Sequence, residues 1–139
     1  MLWRTYDRLR MLEDELFRRF DITAQQYNVL RLLRGTHPKR VPTLTLASRL
    51  VSRAPDITRM LDKLAEHQFI ERERLIDNRR VVEIGITQEG LALLKHLDAE
   101  VRACHQAQLG HMPDDQLQHL VSLLHVARQP HEDELSVWR

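Results

Sequence analysis

Three features of these 139 residues predict a mainly α-helical chain with one small β-hairpin. Apolar residues recur at three- and four-residue spacing in six stretches, as expected of helices buried along one face. A single stretch, from Phe69 to Ile86, reads instead as two strands joined by turn-forming residues. Charge is also segregated: residues 31–80 hold twelve Lys/Arg against six Asp/Glu, and residues 81–139 hold four against nine, although the formal net charge is only +1. That asymmetry describes a basic working surface attached to a neutral or acidic scaffold.

The length suits one domain, residues 1–139, with a sizeable core. Hydrophobic residues at 42% and charged residues at 29% are ordinary for a soluble globular protein. Charges at Arg4, Asp7, Arg8 and Arg10 leave no secretory apolar segment after Met1. The longest run without a formal charge, Gln116–Ala127, is too short to span a bilayer. One cysteine cannot form an internal disulfide. A cytoplasmic location is the expectation.

Leu2, Tyr6, Leu9, Leu12, Leu16 and Phe20 define a first helix of about twenty residues. Trp3 lies near its tip, where a partner subunit or the chain's own C-terminus would have to cover it. Asp21-Ile22-Thr23 breaks this helix, and Thr23 with Gln26 forms a capping box opening the next. Tyr27, Leu30 and Leu33, with Val29 beside them, form its buried stripe. Gly35 ends it, and Thr36–Pro42 is read as a loop carrying His37, Lys39 and Arg40. Thr43 is expected to cap a short helix, Leu44–Val51, with Leu46, Ala47 and Leu50 inward.

The stretch Ala54–His67 is the one the rest is organised around. Pro55 suits a first helical turn. Ile57, Met60, Leu61 and Leu64 make one apolar face, and the other shows Pro55, Asp56, Thr58, Arg59, Asp62 and Lys63, most of them able to bond a base edge or a phosphate. Phe69–Leu75 and Val81–Ile86 follow as strands, with Asp77 and Asn78 forming the turn and Arg79 and Arg80 projecting beyond it. Glu71 and Glu73 alternate with Arg72 and Arg74, so one strand face would be acidic and the other basic. The order of these pieces predicts a winged helix-turn-helix, a DNA-reading module.

Thr87 caps a long fifth helix whose Leu94, Leu97, Val101 and Cys104 form a short heptad seam. Gly110 ends it. Pro113 opens a sixth helix with Asp114 and Asp115 in its first turn. Leu117, Leu120, Val121 and Leu124 give that helix its stripe, and Pro130 stops it. Trp138 adds a second terminal tryptophan with no obvious cover. Together these features favour a dimer held through Leu2, Trp3, Leu97, Val101, Leu120, Leu124 and Trp138.

Gln25-Gln-Tyr27, Leu46-Ala47 with Leu50, Thr58-Arg59, Leu61-Asp62-Lys63-Leu64, Ile70-Glu-Arg72, Asp77-Asn-Arg79-Arg80 and Ile86-Thr87 with Gly90 resemble the MarR family of winged-helix transcription regulators. The resemblance spans roughly Ile22–Leu94. It implies a DNA-binding lobe at 22–90 and dimerisation helices at 1–20 and 91–139. Arg53–Lys63 would carry the groove-facing helix, and Arg79 the minor-groove contact, braced by Asp77. It also implies a small aromatic or anionic effector between lobe and dimer helices, for which Arg10, Phe17 and Tyr27 are the candidate lining. Two positions depart from the pattern. Gln68 stands where the family usually has glycine, so the corner before the wing falls to a residue less tolerant of positive φ. Ala54-Pro55-Asp56 replaces the usual small hydroxyl residues.

No nucleophile with a base, phosphate loop or paired carboxylates stands out, so no enzyme, cofactor or metal site is expected. His119 and His125 are six apart on different sides of one helix. Cys104 lies on the seam without a Lys/Arg cluster to lower its pKa, which favours packing over redox chemistry. The reading is a homodimeric, sequence-specific DNA-binding regulator, a repressor released by a small molecule and bound to a pseudo-palindromic operator. The rival readings are a switch worked by Cys104 or the histidines, and a winged helix used only for protein contacts.

Overall fold

The computed structural model describes residues 1–50 and 57–132. Their order is α1 (Leu2–Arg18), α2 (Ala24–Thr36), β1 (Val41–Pro42), α3 (Thr43–Ser48), α4 (Ile57–Glu66), β2 (Ile70–Arg74), β3 (Val82–Ile86), α5 (Gln88–Leu109) and α6 (Asp114–Arg128), with a short 3-10 turn at Gln129–His131. Helices with one small sheet are thus what the sequence forms. The expected Arg53, Pro55, Asp56 and Trp138 lie outside the described residues.

The capping box forms as read: the Gln26 amide N–H donates to Thr23 Oγ1 at 3.1 Å, and the Thr23 N–H donates to Gln26 Oε1 at 2.9 Å. Thr43 behaves otherwise. Its hydroxyl donates to the Val82 carbonyl at 3.0 Å, and Pro42 takes the cap position of α3, which ends at Ser48. The difference follows from β1, a strand hidden in the expected loop. Val41 pairs with Ile84 and Pro42 with Glu83, so the sheet has three strands, in the order β1-β3-β2, rather than a lone hairpin. Two residues, one of them proline, are too short a run to show alternation.

Two helices end alike. After α4, the Phe69 N–H bonds the Leu64 carbonyl at 3.0 Å and the Gln68 N–H bonds that of Ala65 at 2.9 Å, with Gln68 at φ 61. After α1, Ile22 bonds Phe17 and Asp21 bonds Arg18, with Asp21 at φ 54. Both are Schellman ends, whose left-handed residue is usually glycine. The positive φ expected at Gln68 is therefore present, and Gln68 carries it with a side chain. Gly90, one turn into α5, answers a tighter demand. A Cβ there would stand 2.4 Å from the Phe69 carbonyl oxygen. That close approach lets Thr87 both cap α5, accepting from the Gly90 N–H at 3.1 Å, and donate to the Gln68 carbonyl at 2.6 Å.

Packing divides into two clusters. The larger gathers Val29, Leu30, Leu33, Leu46, Leu61, Leu64, Ile84 and Leu94 from α2, α3, α4, β3 and the start of α5. The smaller holds Leu16, Phe17, Ile22, Leu97 and Val101, between α1 and the middle of α5. Packing therefore crosses the boundary expected at 90/91, since Leu94 belongs to the lobe. Leu97 and Val101, expected at a subunit interface, are covered within the chain by α1, at 0% and 7% exposure. The seam they form points at the chain's own first helix, so their assignment to the interface is corrected. α6 buries none of its residues, and Val121, Leu123, Leu124 and Val126 are exposed. No helix among the described residues is long and apolar enough to cross a membrane.

Candidate nucleic-acid interface

α4 is anchored on one side and open on the other. Met60, Leu61 and Leu64 are buried, while Thr58, Arg59, Asp62 and Lys63 are exposed. The predicted division of the helix into two faces is what the structure shows. Asp62 accepts from the Arg72 guanidinium at 2.7 Å, tying α4 to β2. The register explains the contact. Ile70, Arg72 and Arg74 sit opposite Ile86, Ile84 and Val82, so all six share the sheet face turned toward the helices. Arg72, expected among the DNA contacts, is thereby held at the base of the wing.

Glu71 and Glu73 point the other way, beside Gly85 and Glu83, so the expected acidic and basic strand faces are both present. The acidic face is occupied by Arg40, which bonds Glu71 Oε1 at 2.7 Å and also pairs with Glu73. Arg40 reaches them across β3. A Cβ on Gly85 would lie 3.2 Å from Arg40 Cγ, so the missing side chain is what leaves room for the crossing.

At the wing tip Asn78 organises the turn. Its carbonyl accepts from the Val81 N–H at 2.9 Å and its Oδ1 from the Arg80 N–H at 3.2 Å, while Leu75 N–H bonds the Val81 carbonyl at 3.2 Å. Asp77, expected to brace Arg79, makes no hydrogen bond or ion pair among the described residues. Arg74, Arg79 and Arg80 are exposed, and none is held in an ion pair among the described residues.

Between the end of α1, the α1–α2 turn and α4 runs an open groove of about 610 Å³. Asp14, Phe17, Arg59, Lys63 and His67 are among its walls. Phe17 stacks on Tyr27 behind it, ring centroids 4.7 Å apart. Burial pushes the Tyr27 phenol up, so it stays protonated at neutral pH. Of the three candidate effector residues, Phe17 lines the groove and Tyr27 backs it. Arg10 is not among its walls: the exposed guanidinium pairs at 3.2 Å with Asp14, which is one of them, and lies 6.0 Å from the Tyr6 ring, and Asp14 raises its pKa. An (i, i+4) partner on the same helix has claimed it.

Of the scaffold residues expected at an interface, Leu2 and Trp3 are 70% and 80% exposed, Leu124 is exposed and Leu120 half-buried. Cys104 is half-buried in a shallow cleft of about 230 Å³ between α1 and α5, beside the Arg19–Glu100 ion pair. Burial, and then Glu13, push its thiol up, which keeps thiolate scarce. Among the described residues no group of three or more His, Cys, Asp or Glu is placed to hold a metal ion. Sequence reasoning missed the Arg72–Asp62 and Arg40–Glu71 pairs. The only available signals were the alternating charges of β2 and the isolated Gly85.

The model of the MarR family matches residues 22–82, from just before α2 to the first residue of β3. Over its length the chain is similar to a MarR transcription factor from Planctomyces limnophilus, with 50% identity, 90% of each chain covered and a TM-score of 0.73. It is also similar to a variant of Escherichia coli MarR solved with operator DNA, at 25% identity, covering 88% of this chain and 87% of that one, with a TM-score of 0.78. An uncharacterized HTH-type transcriptional regulator of Bacillus subtilis, YpoP, is 32% identical over 78 residues. That match takes in 56% of this chain and about half, 54%, of the Bacillus protein.

Proposed function

Because the chain belongs to the MarR family of DNA-binding transcription regulators, we propose that it acts as a homodimeric repressor, released from its operator by a small aromatic or anionic effector. The observation that carries the reading is the shared exposure of α4's polar face and of Arg74, Arg79 and Arg80 on the neighbouring wing. A helix of this width fits a major groove, and a narrow minor groove attracts arginine. Two such units related by a two-fold axis would meet half-sites about one helical turn apart. The uncovered faces of α6 and of the start of α1 support the two-fold assembly, and a chromosomal target in double-stranded DNA puts its work in the cytoplasm.

The groove between α1 and α4 supports the effector. An anion seated there would meet Arg59 and Lys63, cations on the helix that reads DNA, and would thus discriminate between bound and released lobes. Only such a difference in affinity can shift the equilibrium.

Fluorescence anisotropy with specific and scrambled DNA at several salt concentrations tests this. Arg79→Ala should weaken binding to every sequence and flatten the log–log salt slope by roughly 0.9 for each phosphate that a subunit no longer neutralises. Arg59→Ala should cost about 1–3 kcal/mol on the specific fragment and relax preference at one position of each half-site. Salicylate, as the probe anion, should lower the affinity. Wild-type binding by both variants to both DNAs would remove the assignment of α4, and sedimentation as a monomer at micromolar concentration would remove the dimer.

A further inference from the structure

The wing root carries a charge arrangement with no role in the reading so far. β2 presents Glu71 and Glu73 on the sheet face away from the helices, and β3 adds Glu83 to that face. A strand meant to approach phosphate is thus lined on one side with carboxylates. Arg40, from the residue just before β1, is what answers them. It is only one-third exposed, lies over Gly85 and bonds Glu71 at 2.7 Å while also pairing with Glu73. The bridge spans all three strands: the cation enters at β1, crosses β3 at its one side-chain gap and ends on β2.

We propose that Arg40 is a positioning residue for the wing: by bridging Glu71 and Glu73 across Gly85, it offsets part of the negative charge on that face of β2 and fixes the angle at which the wing meets DNA. The inference rests on the DNA-binding reading and adds a residue to it. Three physical points carry it. β1 contributes only two paired residues, so backbone hydrogen bonds alone hold that edge weakly. The opposite face of β2 is already tied to α4 by Arg72 and Asp62, so the Arg40 bridge completes a clamp from both sides. Finally, exposed ion pairs contribute little to stability, so one that spans three strands at the wing root acts through geometry and local charge.

Without Arg40, the Glu71 and Glu73 carboxylates would lose the cation they share, and the wing root would be more negative by one charge, within the range where salt only partly screens it from phosphate. The test compares wild type, Arg40→Gln, and the triple variant Arg40→Gln/Glu71→Gln/Glu73→Gln on one operator fragment. Arg40→Gln should weaken binding about three- to tenfold at low salt. In hydroxyl-radical footprinting it should lose the minor-groove protection flanking each half-site while keeping the central major-groove protection. Its melting temperature should stay within a degree or two of wild type. The triple variant, which removes the carboxylates together with their partner, should recover low-salt affinity to within about twofold. Gly85→Ala, which obliges Arg40 to shift, should show a smaller form of the same footprint loss. If wild type binds and Arg40→Gln binds with the same affinity and footprint, the positioning role is wrong. If Arg40→Gln is weakened and the triple variant is not restored, the charge argument is wrong. Failure of wild type itself to bind any fragment would instead remove the DNA-binding reading beneath it.

Discussion

The lobe and the scaffold are written in the same periodic code, and they end in opposite conditions. In the lobe every stripe finds its counterpart: the apolar faces of α2, α3 and α4 close over Ile84 and Ile86, leaving Leu30, Leu33 and Leu64 at or near zero exposure. In the scaffold only part of the pattern closes. α1 buries Leu16 and Phe17 at its end, and Trp3, Tyr6 and Met11 further up remain in solvent. α6 buries nothing. Three- and four-residue spacing announces that a face will be covered and is silent about what covers it.

The sharpest way to test that contrast is to remove equivalent leucines. Leu64→Ala opens a cavity in a closed core and should cost about 2–5 kcal/mol in urea unfolding at any protein concentration. Leu124→Ala on α6 should cost less than about 0.5 kcal/mol in chains diluted to monomer, and more as concentration rises if a partner covers that face. Equal, concentration-independent losses would dissolve the distinction. Gly90→Ala belongs with the lobe group. Its Cβ would meet the Phe69 carbonyl, part of a backbone that cannot swing aside, so a loss of about 3 kcal/mol is expected by calorimetry.

A smaller effect is expected where the two regions are joined. Arg34 on α2 holds Asp98 on α5 by two bonds at 2.9 and 3.1 Å. Both side chains are about one-third exposed, so Arg34→Ala should cost about 0.5–1 kcal/mol, read as a shift in denaturation midpoint with the slope unchanged. A change in slope would mean that lobe and scaffold unfold separately. An effect of similar size has the opposite sign. Gln68 holds a left-handed conformation that glycine would adopt without strain, so Gln68→Gly should stabilise the chain by about 0.5–1 kcal/mol. A destabilised variant would show that the Gln68 side chain has a role beyond the turn.

How legible the chain is follows from which interactions are local. The capping box at Thr23, the two faces of α4 and the demand for positive φ at Gln68 depend on residues within a few positions of each other, and all can be read directly. β1 cannot, because a two-residue strand has no period and exists only against β3. The seam through Leu97 and Val101 suggests an interface because spacing does not say which neighbour a seam meets. The charge of Arg10 suggests a wall of the effector groove, whereas in the fold Arg10 stops one turn short and pairs with Asp14, which is such a wall. The clamp at the wing root escapes for a related reason: Arg40 and Glu71 lie 31 residues apart, and only the folded sheet brings them together.

α5 belongs to both regions at once. Leu94 is locked into the lobe and Val101 against α1, on one uninterrupted helix of 22 residues. No linker absorbs strain between them, so α5 behaves as a lever. Such a helix is about 33 Å long, and a tilt of about 5° at one end carries the other through about 3 Å, close to the rise of one base pair. The cluster of Phe17 grips α5 at Leu97 and Val101, roughly 14–20 Å from its lobe end, so the same tilt pivoted there would move that end by about 1–2 Å.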